Sequence, residues 1–272
     1  YNLYNRLTQT SMTRSSTTQT RAFNYDNTTQ RLMSVAHPES GTVSYTYNGD
    51  GTVATKIDAK NQKIEYVYDS YKRVTQIKRY PVSTGAENTC QRVYFWYDTD
   101  KHDPFNNYGF QLQNGWGRLT SVEWYVSPSP TCTGSGTRMV ERFSYTSAGL
   151  VTKKRLHPMN LSIGWPADAG GLVSATSFME AVYTYNNVGQ MASVKYPGDT
   201  QTSGPWRTYT YSFDTMGRPN KLTDNQATPL DWVKDVLYSP SGQMTQMKFT
   251  ENPNIFQTET RSYNARSQLT QI

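Results

Sequence analysis

Histidine and cysteine, two side chains that often act as catalysts or metal ligands, are scarce in this chain, which contains three histidines and two cysteines. His37 and His157 each precede a proline at equivalent places in a recurring pattern, so we assign them to turns. His102 lies beside Asp100 and Asp103, but a metal site needs three or four converging ligands. Nothing resembles the nucleophile elbow of a serine hydrolase. We therefore expect a non-enzymatic chain without catalytic residues, metal or cofactor.

Two stretches that lack the recurring pattern, near residues 99–116 and 160–178, are rich in aromatic side chains. Such loops can stack on sugars or hold a partner protein, because an aromatic ring offers a large rigid contact surface. The alternative is that both segments cap the sheet or fill its interior. The candidate ligand-contact residues are Phe105, Tyr108, Trp116 and Trp165.

The rest of the sequence repeats a tyrosine-led phrase, Tyr-x-Tyr-Asp-x-x-Gly-Arg-Leu, in variations. Clear copies are YTYNGDGTV (45–53), YVYDSYKRV (66–74), YTYNNVGQM (183–191) and YSFDTMGRP (211–219). The aromatic residue before the Asp or Asn slot is the anchor of each copy. The ten anchors are Tyr1, Tyr25, Tyr47, Tyr68, Tyr97, Tyr145, Tyr185, Phe213, Tyr238 and Tyr263. A sustained period of this kind predicts a repeat architecture.

Each slot of the phrase has a physical role in a β-hairpin. Two tyrosines two residues apart share one face of a strand, and Asp or Asn then starts a turn. Glycine tolerates the positive φ of a hairpin turn, and a second alternating strand follows. The acidic or amide slot holds Asp26, Asn48, Asp69, Asp98, Asn186 and Asp214. The glycine slot holds Gly51, Gly117, Gly149, Gly189, Gly217 and Gly242. We call this the near turn.

A second set of turns, the far turns, connects one hairpin to the next. Proline marks them at His37-Pro38, Tyr80-Pro81, His157-Pro158 and Tyr196-Pro197, because proline cannot donate to a central strand ladder. Arginine recurs in the slot after the glycine, and we expect it to stack on or bond to the turn of the adjacent copy. This slot holds Arg6, Arg31, Arg73, Arg118 and Arg218.

Composition favours one curved sheet over a two-layer sandwich. Hydrophobic residues make up 35% of the chain, and 21 tyrosines carry much of the apolar surface. The net charge is +6, but the basic residues are spread along the chain rather than focused in a stripe. We therefore expect no nucleic-acid partner. No apolar stretch reaches the roughly 18 residues that a membrane helix needs, so we expect no membrane insertion by this segment.

The predicted fold class is all-β, a repetitive array of antiparallel β-hairpins. We expect a single array over residues 1–272, with about ten repeats and insertions near 99–116 and 160–178. Both ends of the chain lie inside a repeat, so we expect it to be a segment of a longer protein.

These residues resemble the YD-repeat family, also called the Rhs-repeat family. Tyr68-Asp69 with Arg73-Val74, and Phe213-Asp214 with Gly217-Arg218, are the clearest copies, and the resemblance covers essentially the whole chain. The family includes bacterial Rhs polymorphic toxins, cocoon subunits of insecticidal toxin complexes, and teneurins. The resemblance implies a spiral β-sheet shell, which encloses a toxic polypeptide in bacterial members and belongs to an adhesion receptor in teneurins.

The resemblance also implies partners and a location. We expect a structural segment of a shell that encapsulates or displays another polypeptide. Its partners would be the remainder of the shell and the enclosed cargo, and its parent protein would be secreted or at the cell surface. The alternative is an adhesion module that binds carbohydrate or a cell-surface protein. The family's Asp-Pro-x-Gly signature is absent, since Asp103-Pro104 continues Phe105-Asn106, so self-cleavage is not carried over.

Cys90 and Cys132 occupy matching far turns of successive repeats, and successive hairpins are neighbours in a spiral. Far turns one repeat apart can bring two cysteines within disulfide distance. An isolated pair in a largely exported family favours a bridge, and the alternative is two free thiols.

Overall fold

Strands and tight turns make up almost all of the described structure. The computed structural model describes residues 1–102, 110–126, 137–158, 178–196, 207–226, 228–252 and 255–272. Within these ranges the only helical element is one 3₁₀ turn, Thr89–Gln91. The predicted all-β class is therefore confirmed.

The chain divides into two compact units, one formed by Tyr1–His102 with Gly117–Val140 and the other by Asp103–Trp116 with Glu141–Ile272. In the first unit the strands are β1 (Gln9–Arg14), β2 (Thr17–Tyr25), β3 (Leu32–His37), β4 (Gly41–Tyr47), β5 (Val53–Ile57), β6 (Lys63–Tyr68), β7 (Val74–Tyr80), β8 (Val93–Tyr97) and β9 (Leu119–Val126). β10 (Thr137–Tyr145) spans the boundary between the units. Whether the repeats form one array, as the sequence predicts, stays a prediction.

In the second unit the strands are β11 (Val151–Pro158), β12 (Met179–Tyr185), β13 (Met191–Tyr196), β14 (Arg207–Phe213), β15 (Pro219–Asp224), β16 (Asp231–Tyr238), β17 (Met244–Asn252), β18 (Ile255–Thr260), β19 (Ser262–Tyr263) and β20 (Leu269–Gln271). β19 and β20 form a separate two-stranded sheet.

Sequential antiparallel pairing organises both units. From β1 to β9, each strand pairs with the next strand along the chain. The same holds from β11 to β18, and β19 pairs with β20. Every residue of β5, β6 and β7 is half-buried, so these strands bury neither face completely. Each hairpin therefore depends on its neighbours, as in other repeat proteins.

Several near turns share one backbone geometry. The amide of Gly51 donates to the carbonyl of Asn48 at 3.0 Å, and Gly217 does the same to Asp214. The φ of Gly51 is +91°, which a residue with a Cβ adopts only at a cost. Lys72 takes this slot in the copy anchored at Tyr68, with φ +62°. The register shifts by one residue beside the anchor, so each of these turns ends in a β-bulge.

We expect Gly51→Ala to lower the free energy of unfolding by about 1–2 kcal/mol, because alanine is strained at positive φ. The added Cβ would also lie 3.0 Å from Nη2 of Arg31, although that side chain can move. Gly49→Ala is the matched control, since its Cβ would meet no atom within 4 Å. Urea unfolding of both variants tests this. Equal losses would show that positive φ is not the cause.

Candidate functional site

In several repeats the near turn is capped by the Asp or Asn side chain that follows the anchor. In the copy anchored at Tyr68, Oδ1 of Asp69 accepts hydrogen bonds from the amides of Tyr71 and Arg73, both at 2.9 Å. The side chain thus replaces the backbone partners that the turn leaves without an acceptor. The same pattern, to the amides two and four residues on, recurs at Asn2, Asn186, Asp214 and Asn264.

The anchor tyrosine connects its hairpin to the preceding one. The hydroxyl of Tyr68 donates to the carbonyl of Val53 at 2.8 Å, and that of Tyr47 donates to Leu32 at 2.8 Å. Each acceptor lies six or seven residues past the preceding anchor. The same bond, at 2.6–3.1 Å, is made by Tyr25, Tyr97, Tyr185, Tyr238 and Tyr263. We call this series of bonds the tyrosine ladder.

In three copies, the arginine in the slot after the glycine contacts the next anchor. The guanidinium of Arg73 lies 4.4 Å from the centre of the Tyr97 ring, and it binds both oxygens of Asp98 at 3.1 and 2.8 Å. It also binds Asp69 of its own turn at 2.7 Å. One cation therefore holds two successive turns together. The equivalent stacks are Arg31 on Tyr47 at 5.6 Å and Arg218 on Tyr238 at 4.5 Å.

Burial and charge shift the pKa of groups in the ladder. The hydrogen bond from Arg73, opposed by desolvation, keeps the pKa of Asp98 below its ordinary 3.8. Burial raises the pKa of the Tyr97 hydroxyl above its ordinary 10.0. Burial raises it likewise at Tyr47, Tyr68 and Tyr185. The Asp98 carboxylate already binds Arg73 and the amide of Gly117, and the tyrosine hydroxyls already bind backbone carbonyls. These groups therefore position the hairpins.

One of the four candidate ligand-contact aromatic residues lies within the described part of the chain. Trp116 is 80% exposed just before Gly117, at the tip of its turn. Phe105, Tyr108 and Trp165 lie outside the described residues.

Phe110, in the same insertion, was not among the predicted residues and is only 1% exposed. The guanidinium groups of Arg142 and Arg155 lie 4.4 and 5.3 Å from its ring centre. Arg155 is itself buried, paired with Glu180 at 2.7 Å and stacked on Phe178 at 3.7 Å. No feature of the sequence distinguishes Phe110 from its aromatic neighbours, so its burial could be found only in three dimensions.

His102 faces an acidic residue in the first unit. Its Nε2 lies 3.6 Å from Oε2 of Glu123, and its ring meets Trp96 edge-on at 6.2 Å. Its backbone amide donates to Oδ1 of Asp100, whereas Asp103 lies outside the described residues. In the described part of the chain, no three His, Cys, Asp or Glu side chains converge as metal ligands would.

Cys90 is 7% exposed within the 3₁₀ turn, and its amide donates to Oδ1 of Asn88 at 3.1 Å. Its predicted partner, Cys132, lies outside the described residues, so the bridge stays a prediction. Among the described residues, no helix is both long enough and apolar enough to cross a membrane.

We expect Tyr68→Phe to lower the free energy of unfolding by about 1 kcal/mol, the typical net value of one hydrogen bond. Tyr66→Phe is the matched control, because Tyr66 is half-buried on the same strand and its hydroxyl makes no hydrogen bond within the described part of the chain. Denaturant unfolding of the three proteins measures the difference. A loss in Tyr66→Phe as large as that in Tyr68→Phe would contradict a specific role for the ladder.

The lowered pKa of Asp98 predicts that the folded protein loses stability as the pH falls into the acid range. The carboxylate binds protons less readily in the folded state, so its contribution is present above its unfolded pKa and is lost as pH falls through the folded value. We expect stability to decline from about pH 5 towards pH 2. Arg73→Gln should make this decline shallower, whereas Arg14→Gln, at an exposed position of β1, should not. Thermal unfolding across this pH range tests it, and parallel profiles would refute the assignment.

Comparison with known proteins gives a fold likeness. No family model and no curated protein matches the chain. A solved structure of TcdB2-TccC3 without its hypervariable C-terminal region matches with a TM-score of 0.61 and 12% identity, over 93% of this chain and 12% of that one. The Photorhabdus luminescens Tc holotoxin pore, carrying a TccC3 mutation, gives the same four values. TcdB2-TccC3-Cdc42 matches with a TM-score of 0.57 and 11% identity, over 93% and 14%. This chain thus spans about one-eighth of the structures that share its fold.

Proposed function

We propose that this chain is a non-enzymatic structural segment of a YD/Rhs-repeat shell that encapsulates or displays another polypeptide. The observation that carries the proposal is the tyrosine ladder, which ties hairpin to hairpin by the same bond in seven repeats. The fold likeness to TcdB2-TccC3 chains over 93% of the sequence supports it.

A sheet of this kind can confine a polypeptide because the backbone hydrogen-bonding groups of its inner strands are already paired. In an extended run of antiparallel hairpins, the backbone groups of each inner strand are bound by the strands on either side. A protease needs an extended segment free of such partners, so a continuous sheet resists cleavage and shields what lies behind it. The ladder adds a side-chain bond at each junction between hairpins. A wall one sheet thick can then persist without a second layer.

The proposed partners are the remainder of the shell and the polypeptide that it holds, and the proposed location of the parent protein is outside the cell or at its surface. The anchor tyrosines and arginines such as Arg73 already bind neighbouring repeats. Specificity for a cargo would therefore reside in side chains outside the ladder. The insertions and the faces of the strands are the places to look for it.

The test is protease protection in the full-length parent protein. If the shell encapsulates a polypeptide, that polypeptide should survive proteinase K in the native parent and be cleaved after the shell is opened with denaturant. If the shell displays it, the polypeptide should be cleaved in the native parent while its contact region stays bound and protected.

Ladder variants sharpen the test. Combining Tyr47→Phe with Tyr68→Phe should lower the denaturant concentration at which the polypeptide becomes susceptible. Combining Tyr45→Phe with Tyr66→Phe, on the same strands, should not. A parent protein in which no bound segment is protected at any denaturant concentration would overturn the proposal.

A further inference from the structure

A pocket of about 190 Å³ lies in the first unit at the far-turn end of β5, β6 and β7. Basic, amide and apolar side chains line it together. The lining residues are Lys56, Asp58, Gln62, Lys63, Ile64, Arg79, Tyr80, Pro81 and Gln91. None of them belongs to the tyrosine ladder or to a near turn, so the ladder does not account for this pocket.

The strand register places two of the cations on the same row. Lys56 pairs with Ile64 on the next strand, and Ile64 pairs with Arg79 on the strand after that. Paired residues of adjacent strands point to the same face, so Lys56 and Arg79 flank Ile64. Their backbones are about 10 Å apart, two strand spacings, and both side chains are long. An ammonium and a guanidinium can therefore reach one small group between them.

The pocket carries an excess of positive charge. Its one carboxylate, Asp58, uses Oδ1 to accept from the amides of Lys60 and Gln62, both at 2.9 Å. Among the described residues, no ion pair is formed by Lys56 or Arg79. Other half-buried cations of this unit do have acidic partners: Arg73 with Asp98, Lys78 with Glu65 and Arg92 with Glu87. Cations held half-buried without a counter-charge attract an anion.

The walls of the pocket are held in place before any ligand arrives. Ser83, after β7, donates its amide to the carbonyl of Asn61 at 2.8 Å and its hydroxyl to Oδ1 of Asn61 at 2.6 Å. These two bonds fasten the segment after β7 to the far turn after β5. The ammonium of Lys63 lies 3.8 Å from the centre of the Tyr80 ring. A site with fixed walls loses less entropy when it binds.

We propose that this pocket binds a small oxyanion group: a carboxylate, phosphate or sulfate. Lys56 and Arg79 would supply the charge, and the planar guanidinium suits two oxygens of one group. The amides of Gln62 and Gln91 line the pocket and offer further donors, while Ile64 accepts the apolar part of a ligand. The proposal does not depend on whether the chain is a shell segment, since it concerns a pocket within one unit.

Titration of the protein with sodium phosphate, followed by ¹⁵N–¹H NMR at constant ionic strength, tests the proposal. We expect saturable shifts confined to β5, β6, β7 and the turns at their far end, with a Kd of roughly 1–10 mM. Lys56→Gln and Arg79→Gln should each weaken binding roughly tenfold, the effect of losing one charge-assisted contact. Arg79→Lys should weaken it less, and its dispersed spectrum would show that the fold is kept.

Lys153→Gln is the control, because it removes one half-buried positive charge from β11, outside the pocket. Its affinity for phosphate should equal that of the unchanged protein. Parallel titrations with sulfate and acetate identify the kind of ligand group. Tighter binding of phosphate and sulfate than of acetate indicates a phosphorylated or sulfated group. Equally tight binding of acetate indicates a carboxylate. The proposal is overturned if no saturable shift occurs, if sodium chloride causes the same shifts, or if Lys153→Gln weakens binding as much as Lys56→Gln.

Discussion

The bond from an anchor tyrosine to the preceding hairpin is the interaction on which the repeated hairpins of each unit depend. Strand pairing joins neighbours edge to edge, and because every residue of β5, β6 and β7 is only half-buried, side-chain bonds between hairpins add to what pairing provides. The hydroxyl of Tyr47 reaches a carbonyl 15 residues back, and that of Tyr185 reaches one 34 residues back. The same bond therefore forms across both short and long separations along the chain. An insertion between two anchors is compatible with this bond as long as the anchor and its acceptor stay together.

Phe213 shows that the array has more than one way to join its repeats. Its ring fills an anchor position without a hydroxyl, so this copy lacks the tyrosine bond. Gln190 of the preceding repeat instead donates Nε2 to the carbonyl of Gly217 at 2.6 Å, reaching the turn that follows Phe213. Arg73 makes the equivalent reach to Asp98. The slot after the glycine thus carries a second connection, and a copy can lose one connection while keeping the other.

The sequence predicts the local elements better than their connections. Asp69 and Gly217 mark turns because their chemistry is local, and both turns form where expected. The acceptor of each tyrosine hydroxyl follows from the register between hairpins, which the phrase itself does not encode. The bulge beside each anchor and the positive φ of Lys72 are set by the same turn closure. The burial of Phe110 depends on contacts with Arg142 and Arg155, which follow it by 32 and 45 residues.

Positive charge has different roles at the near turns and at the far turns of these hairpins. At the near turns, a cation such as Arg73 is neutralised by carboxylates of its own and the next repeat, so it fixes geometry and presents little net field. At the far end of β5 to β7, Lys56 and Arg79 flank an isoleucine, and the adjacent Asp58 is already bound to backbone amides. The same residue types therefore fix the turn geometry at the near turns and leave positive charge at the far end of β5 to β7. The repeat slots fix the cations of the near turns. Cations at the far ends of the hairpins can therefore differ between copies without changing the near-turn contacts.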